Sequence, residues 1–135
     1  MSKSAFEILQ PKHWAAPKGY ANGIAAQGRQ IFIAGQIGWN AQAQFESDDF
    51  VAQVEQALKN IVDVLAAAGC EPRHLVRLNW YVTDKAEYAA RQGEIGTVYR
   101  SLIGRHFPAM TLVVVAGLLE PRAKVEIEGT AVIPD

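Results

Sequence analysis

An α+β fold is predicted for this chain: a single small domain of about five to six strands with two helices packed on one face of the sheet. Three observations predict it. Apolar residues recur at helical spacing in two separate segments. Short runs with period-2 or continuous apolar character flank them. The segments follow the order hairpin, helix, strand, helix, strand, strand. Right-handed crossovers between consecutively laid strands put both helices on the same side of one sheet.

The first element reads as a hairpin from Ala21 to Gly35, with the turn at Gln27-Gly28-Arg29 and alternation at Ile31 and Ile33. A glycine-containing loop, GQIGWNAQAQ, follows. From Ser47 to Gly69 the spacing predicts a helix with Ser47 as N-cap and Asp48 and Asp49 in the first turn. Its buried stripe is Phe50, Val54, Leu58, Ile61, Leu65 and Ala68, its exposed pair is Glu55 and Lys59, and Gly69 stops it. His74 to Thr83 is a strand with Val76, Leu78, Trp80 and Val82 on one face and Leu75, Arg77, Asn79 and Tyr81 on the other. A second helix falls between Ala86 and Ile103, and Gly93 and Gly96 weaken it by about 1 kcal/mol each relative to alanine. Met110 to Ala116 is an apolar strand. Arg122 to Pro134 is an alternating one, with Val125, Ile127, Ala131 and Ile133 opposite Lys124, Glu126, Glu128 and Thr130.

A length of 135 residues suits one domain spanning residues 1–135, able to bury a core without disulfides or metals. The single cysteine, Cys70, excludes an intrachain disulfide. It shares no metal-site spacing with His13, His74 and His106, so no metal is expected. A net charge of −1 with no basic stripe argues against nucleic acid as a partner. No apolar run approaches the roughly 20 residues of a membrane span, and the N-terminus lacks a signal-peptide pattern. No membrane association is expected, and cytoplasm is the default location.

One face of the sheet has no helix to cover it. Leu112, Val113, Val114 and Val115 are apolar on both sides, as in strands buried on both faces. Another copy of the chain is the simplest cover. Arg77, Asn79, Glu126 and Glu128 share that face. They either line a pocket at a subunit boundary or face water.

The segments GYANG at 19–23, IAGQIGWN at 33–40, LVRLNWYVTD at 75–84, FPAM at 107–110 and KVEIEGTA at 124–131 carry a resemblance. In this order and spacing the chain resembles, over nearly its full length, the Rid family, also called YjgF-type or reactive-intermediate deaminase proteins. The resemblance implies a fold like that of trimeric chorismate mutase. The partners it implies are two further copies in a homotrimer, with sheets inside, helices outside and clefts between chains. It also implies cofactor-free hydrolysis of imines or enamines to ammonia and a keto acid.

In that family an arginine after FPA grips the substrate carboxylate, and here the position is Met110. Three other positions also depart from the pattern: Ala34 for serine, Gly96 for asparagine and Leu112 for cysteine. Tyr20, the Gly35 backbone and Glu126 keep it. The resemblance therefore implies Glu126 and Tyr20 as catalytic residues and Gly35 and Met110 as ligand-binding ones. Methionine offers apolar, polarizable surface and no charge. A carboxylate in such a pocket lacks its counterion, which is costly. The ligand either carries none or has it held by another cation, and 2-aminoacrylate is expected to fail.

Arg105 and His106 are the nearest candidates for that cation, and Arg77 is a third. Arg105 could instead cap the helix before it, where cations are favoured anyway. Trp39 is a candidate pocket wall, and Trp80 reads as core. Glu126 could serve as a general base through water, or only as an ion-pair partner of Arg77 or Lys124. Beside the enzyme stands an alternative: a catalytically silent ligand-binding or regulatory member of the same family. Ribonuclease activity, ascribed to some relatives, does not suit the charge.

Overall fold

The computed structural model describes residues 6–135. Its elements are β1 (Phe6–Leu9), β2 (Gly23–Ala26), β3 (Arg29–Ile37), α1 (Phe50–Ala67), β4 (Leu75–Val82), α2 (Lys85–Ala90), α3 (Gln92–Leu102), β5 (Ala109–Val114) and β6 (Val125–Ile133). Four strands form the main sheet in the order β3-β6-β4-β5. β6 runs antiparallel between β3 and β4, while β4 and β5 are parallel. A parallel pair needs a long crossover, and α2 and α3 supply it.

The helical stripe packs as its spacing predicts. Phe50, Val54, Leu58, Ile61 and Leu65 of α1 are buried against Leu78, Trp80, Val125 and Ile127 of the sheet. Truncating one of these leucines to alanine costs about 2–5 kcal/mol. Glu55 and Lys59 pair at 3.2 Å on the wet side. Gln53, also buried, donates to the carbonyls of Ser47 and Arg122 and accepts from the amide of Lys124. It thereby ties the start of α1 to the start of β6.

Several details differ from the sequence-based expectation. The hairpin from Ala21 to Gly35 does not form. β2 pairs with β1, Phe6 opposite Ala26, and β3 pairs with β6. Gly28 does turn the chain, but from one sheet into the other. Alternation marks a segment as extended without saying which strand it meets, and the partner here is distant in sequence. The N-cap of α1 is Asp49, whose carboxylate accepts from the Ala52 amide at 3.0 Å. The Ser47 hydroxyl instead accepts from the Asp49 amide. Arg91 holds the Asp49 carboxyl below its usual range, helped by the Ala52 amide. Gly69 has φ +74, the left-handed conformation that ends helices.

The second helix is two, α2 and α3, with the break at Arg91 (φ −121). His74 lies in a single 3-10 turn rather than in the strand. A register shift between Leu75 and Arg77 puts Leu75 in the core and leaves Val76 half-buried, reversing their expected faces. Within the described residues no helix is long and apolar enough to cross a membrane.

Candidate active site

Helices cover one side of the main sheet and leave the other open. Pairing register decides which side chains share a face. Tyr81 stands opposite Glu126, and Asn79 opposite Glu128. On this open face Tyr81 donates to Glu128 Oε1 at 2.5 Å, Asn79 donates to the same oxygen at 3.1 Å, and Arg77 Nε donates to Asn79 at 3.2 Å. Phe32, 74 % exposed, lies beside them, opposite Thr130.

The Tyr81 hydroxyl, and after it Asn79, holds the Glu128 carboxyl below its ordinary value of 4.5. A depressed carboxylate contributes stability above its unfolded value, and loses it as pH falls through the folded one. Tyr81→Phe should therefore raise the Glu128 pKa toward 4.5 and flatten the loss of stability in acid below that value. An NMR titration of the Glu128 carboxyl measures the shift. An unmoved titration would remove Tyr81 as its cause.

Glu126 is differently placed. Its carboxyl carbon lies 2.7 Å from where a Cβ on Gly35 would stand, so the side chain folds over the glycine. Only a residue without a side chain leaves that space. Among the described residues Glu126 has no ion pair with Arg77 or Lys124 within 4 Å. Gly35 and Glu126 are thus brought together, on the open face.

Met110 and Tyr20 are brought together elsewhere. Met110 pairs with Leu78 and Leu112 with Trp80, so both point to the helix side of the edge strand β5. Tyr20 arrives because Ala21 bridges to Ala109 and donates its amide to the Pro108 carbonyl at 3.0 Å. The GYANG and FPAM segments therefore lie side by side. Between them and α3 is a crevice of about 560 Å³, walled by Tyr20, Trp80, Tyr99, Phe107, Met110 and Leu112. Tyr99 stacks on Phe107 with ring centres 5.5 Å apart, and burial pushes its phenol pKa up. Its hydroxyl donates to the His106 carbonyl at 2.7 Å.

Arg105 and His106 line a neighbouring hollow, on the far side of Tyr20 and Phe107 from Met110. The His106 ring is engaged there: Nε2 lies 2.6 Å from the Leu75 carbonyl, to which it can only donate. Trp39 sits in the loop after β3, packed on Phe45, with its carbonyl held by Asn60. It does not line the Met110 crevice. Arg77 is on the open face. Lys18 and Arg100 do line the crevice, and the sequence reading passed over both. The signal for Arg100 was its place one helical turn after Gly96. His13, His74, His106 and Cys70 form no metal-binding group among the described residues.

The family model described as Endoribonuclease L-PSP matches residues 11–133. The chain is 37% identical over 138 aligned residues to Protein DfrA from Myxococcus xanthus, covering 98% of this chain and 97% of that one. It is 33% identical over 106 residues to the 2-iminobutanoate/2-iminopropanoate deaminase of Mus musculus, covering 77% and 74%. The crystal structure of YyfB, a protein of the conserved Rid family from Yersinia pestis, matches with a TM-score of 0.86 at 30% identity, over 96% of this chain and 100% of that one.

Proposed function

The chain belongs to the Rid family, described as Endoribonuclease L-PSP, and from that membership we propose that it hydrolyses a small imine or enamine in clefts between the subunits of a homotrimer. One observation carries the reading. Gly35 and Glu126 lie on the open face of the sheet, while Tyr20 and Met110 lie on the helix side of its edge strand. A single copy does not bring the two halves together. A neighbour whose open face meets the β5 edge would join them and cover Phe32, Val113 and Val114. Ring-forming interfaces use two different patches in this way.

The chemistry follows from the groups present. Glu126 takes a proton from water as the water oxygen attacks the imine carbon, and the C=N pair moves to nitrogen. That proton passes to nitrogen to give a carbinolamine, whose hydroxyl proton then moves through Glu126 to the same nitrogen as the C–N bond breaks and the oxygen lone pair closes the carbonyl. Imine and water become carbonyl compound and ammonia, with no electrons left over. The Gly35 amide and the Tyr20 hydroxyl orient the ligand, and Met110 shapes the pocket. The relative from Mus musculus is named for acting on 2-iminobutanoate and 2-iminopropanoate. With Met110 at its wall, this pocket does not serve 2-aminoacrylate, and the substrate is a different imine, enamine or related carbonyl compound.

Ammonia release from imines generated by an amino acid oxidase tests the activity. Mixing Glu126→Gln with Tyr20→Phe chains tests the shared site. Each variant alone lacks one half. A mixed ring should regain about a quarter of wild-type turnover, because a random pair of neighbours supplies both intact halves in about one case in four. No recovery in mixed rings of intact size would mean that one chain holds the whole site. If wild-type protein fails to accelerate any of several imines while still binding ligand, the silent binding role replaces the enzyme.

A further inference from the structure

The Met110 crevice contains two positive side chains, Lys18 and Arg100, and its lining includes no aspartate or glutamate. Its remaining walls are mostly aromatic or aliphatic. Arg100 is on α3, one turn after Gly96. A Cβ on Gly96 would meet Arg100 Nη1 at 3.1 Å and Cζ at 3.8 Å. The guanidinium therefore lies back along the helix, over the space that a side chain at position 96 would fill. Glycine at this position costs the helix about 1 kcal/mol relative to alanine. Here it gives the guanidinium a place at the crevice wall.

Arg100 makes no side-chain hydrogen bond and no ion pair among the described residues. Arg91, by contrast, is spent on Asp49 and Glu94, and Arg122 on Asp48. A guanidinium offers five donors in a planar fork that fits a carboxylate with two parallel bonds. One left unpaired beside an apolar crevice is a ready partner for an anion.

We propose that Arg100 binds a carboxylate in the Met110 crevice, and that the ligand is a carboxylic acid with a flat, apolar body. The body rests against Trp80, Tyr99, Phe107, Met110 and Leu112. Lys18 adds positive charge on the opposite segment. A three-carbon acid leaves these walls unfilled, whereas a volume of about 560 Å³ is within the range that takes whole metabolites. The assignment rests on the reading of this crevice as half of the reaction site, and it names the substrate class for that site.

Benzoate and its neutral isostere benzamide are the probes. Binding is followed by calorimetry and by the indole N–H resonance of Trp80, identified with Trp80→Phe. Wild-type protein should prefer benzoate to benzamide by about tenfold, the expected gain of a charge-assisted pair. Arg100→Gln should erase the preference and leave benzamide binding unchanged, while Arg100→Lys should keep part of it. Because Arg100 is exposed on its helix, these variants should fold normally.

Three results would overturn the proposal: equal binding of the two probes, a preference that survives Arg100→Gln, or no benzoate binding at about 10 mM. The test separates this site from the reaction. If benzoate binding depends on Arg100 but no imine is hydrolysed, the anion site stands and the catalytic reading falls. If a carboxylate-bearing imine is hydrolysed with the same KM after Arg100→Gln, the reverse holds.

Discussion

Glu126→Gln should lower kcat for imine hydrolysis by about 10²–10⁴-fold, the range that a positioned general base contributes, and should leave KM nearly unchanged. The open face carries two neighbouring carboxylates, and their surroundings separate their roles. Glu128 is occupied by Tyr81 and Asn79, whose hydrogen bonds favour its charged form and make it a weaker base. Glu126 has no such partner among the described residues and lies over the Gly35 backbone. The amide side chain of glutamine keeps the shape and cannot accept the proton. Gly35→Ala should act on the same group from below. Its Cβ would stand 2.7 Å from the Glu126 carboxyl carbon, so the side chain must swing aside. Because the clash is with a flexible side chain, stability should change little while turnover falls. Rate and melting temperature measured on both variants decide the matter. Glu126→Gln turning over within about threefold of wild type would remove this residue as the base.

Gly28→Ala should destabilise the chain by about 3 kcal/mol or more, a drop in Tm of roughly 10 °C. Gly28 has φ +146, and a Cβ there would fall 2.0 Å from the Ile133 carbonyl oxygen. That oxygen belongs to the strand paired with β3, Arg29 opposite Ile133. No side chain can rotate out of the way, so the end of the β3–β6 ladder must part. Strain at a backbone conformation that L residues avoid adds to the loss. Gly93→Ala is the contrast. It lies in the first turn of α3 with open space around it, so alanine should stabilise by about 0.5–1 kcal/mol. Thermal or denaturant unfolding of the two variants should move in opposite directions. An unchanged midpoint for Gly28→Ala would show that the strand ends yield at no cost.

Local patterns reached the elements and stopped at their partners. The spacing from Phe50 to Leu65 specified α1 and its buried face, because a helix closes its own hydrogen bonds and its period is written in adjacent turns. The alternation in β6 likewise identified its core residues, from Val125 to Ala131. The pairing of β2 with β1, whose partners Phe6 and Ala26 lie 20 positions apart, has no local signature. Nor does the bulge that sinks Leu75 into the core. Tyr20, Gly35, Met110 and Glu126 are singled out by family motifs alone, with no local spacing that marks them. Their placement on opposite sides of the sheet became visible only with the register of β4, β5 and β6, since a one-residue change in pairing moves a side chain to the other face. Arg100 was missed because its position depends on what is absent four residues earlier, a Cβ on Gly96.

Sedimentation equilibrium of the wild-type chain at micromolar concentration is the most direct test of the claim that copies seal the open face and complete the site. Three associated chains of 14.7 kDa each are expected, with no stable lone protomer. A single well-behaved species of 14.7 kDa would contradict it, leaving Phe32 in water and Glu126 without a second half-site to face.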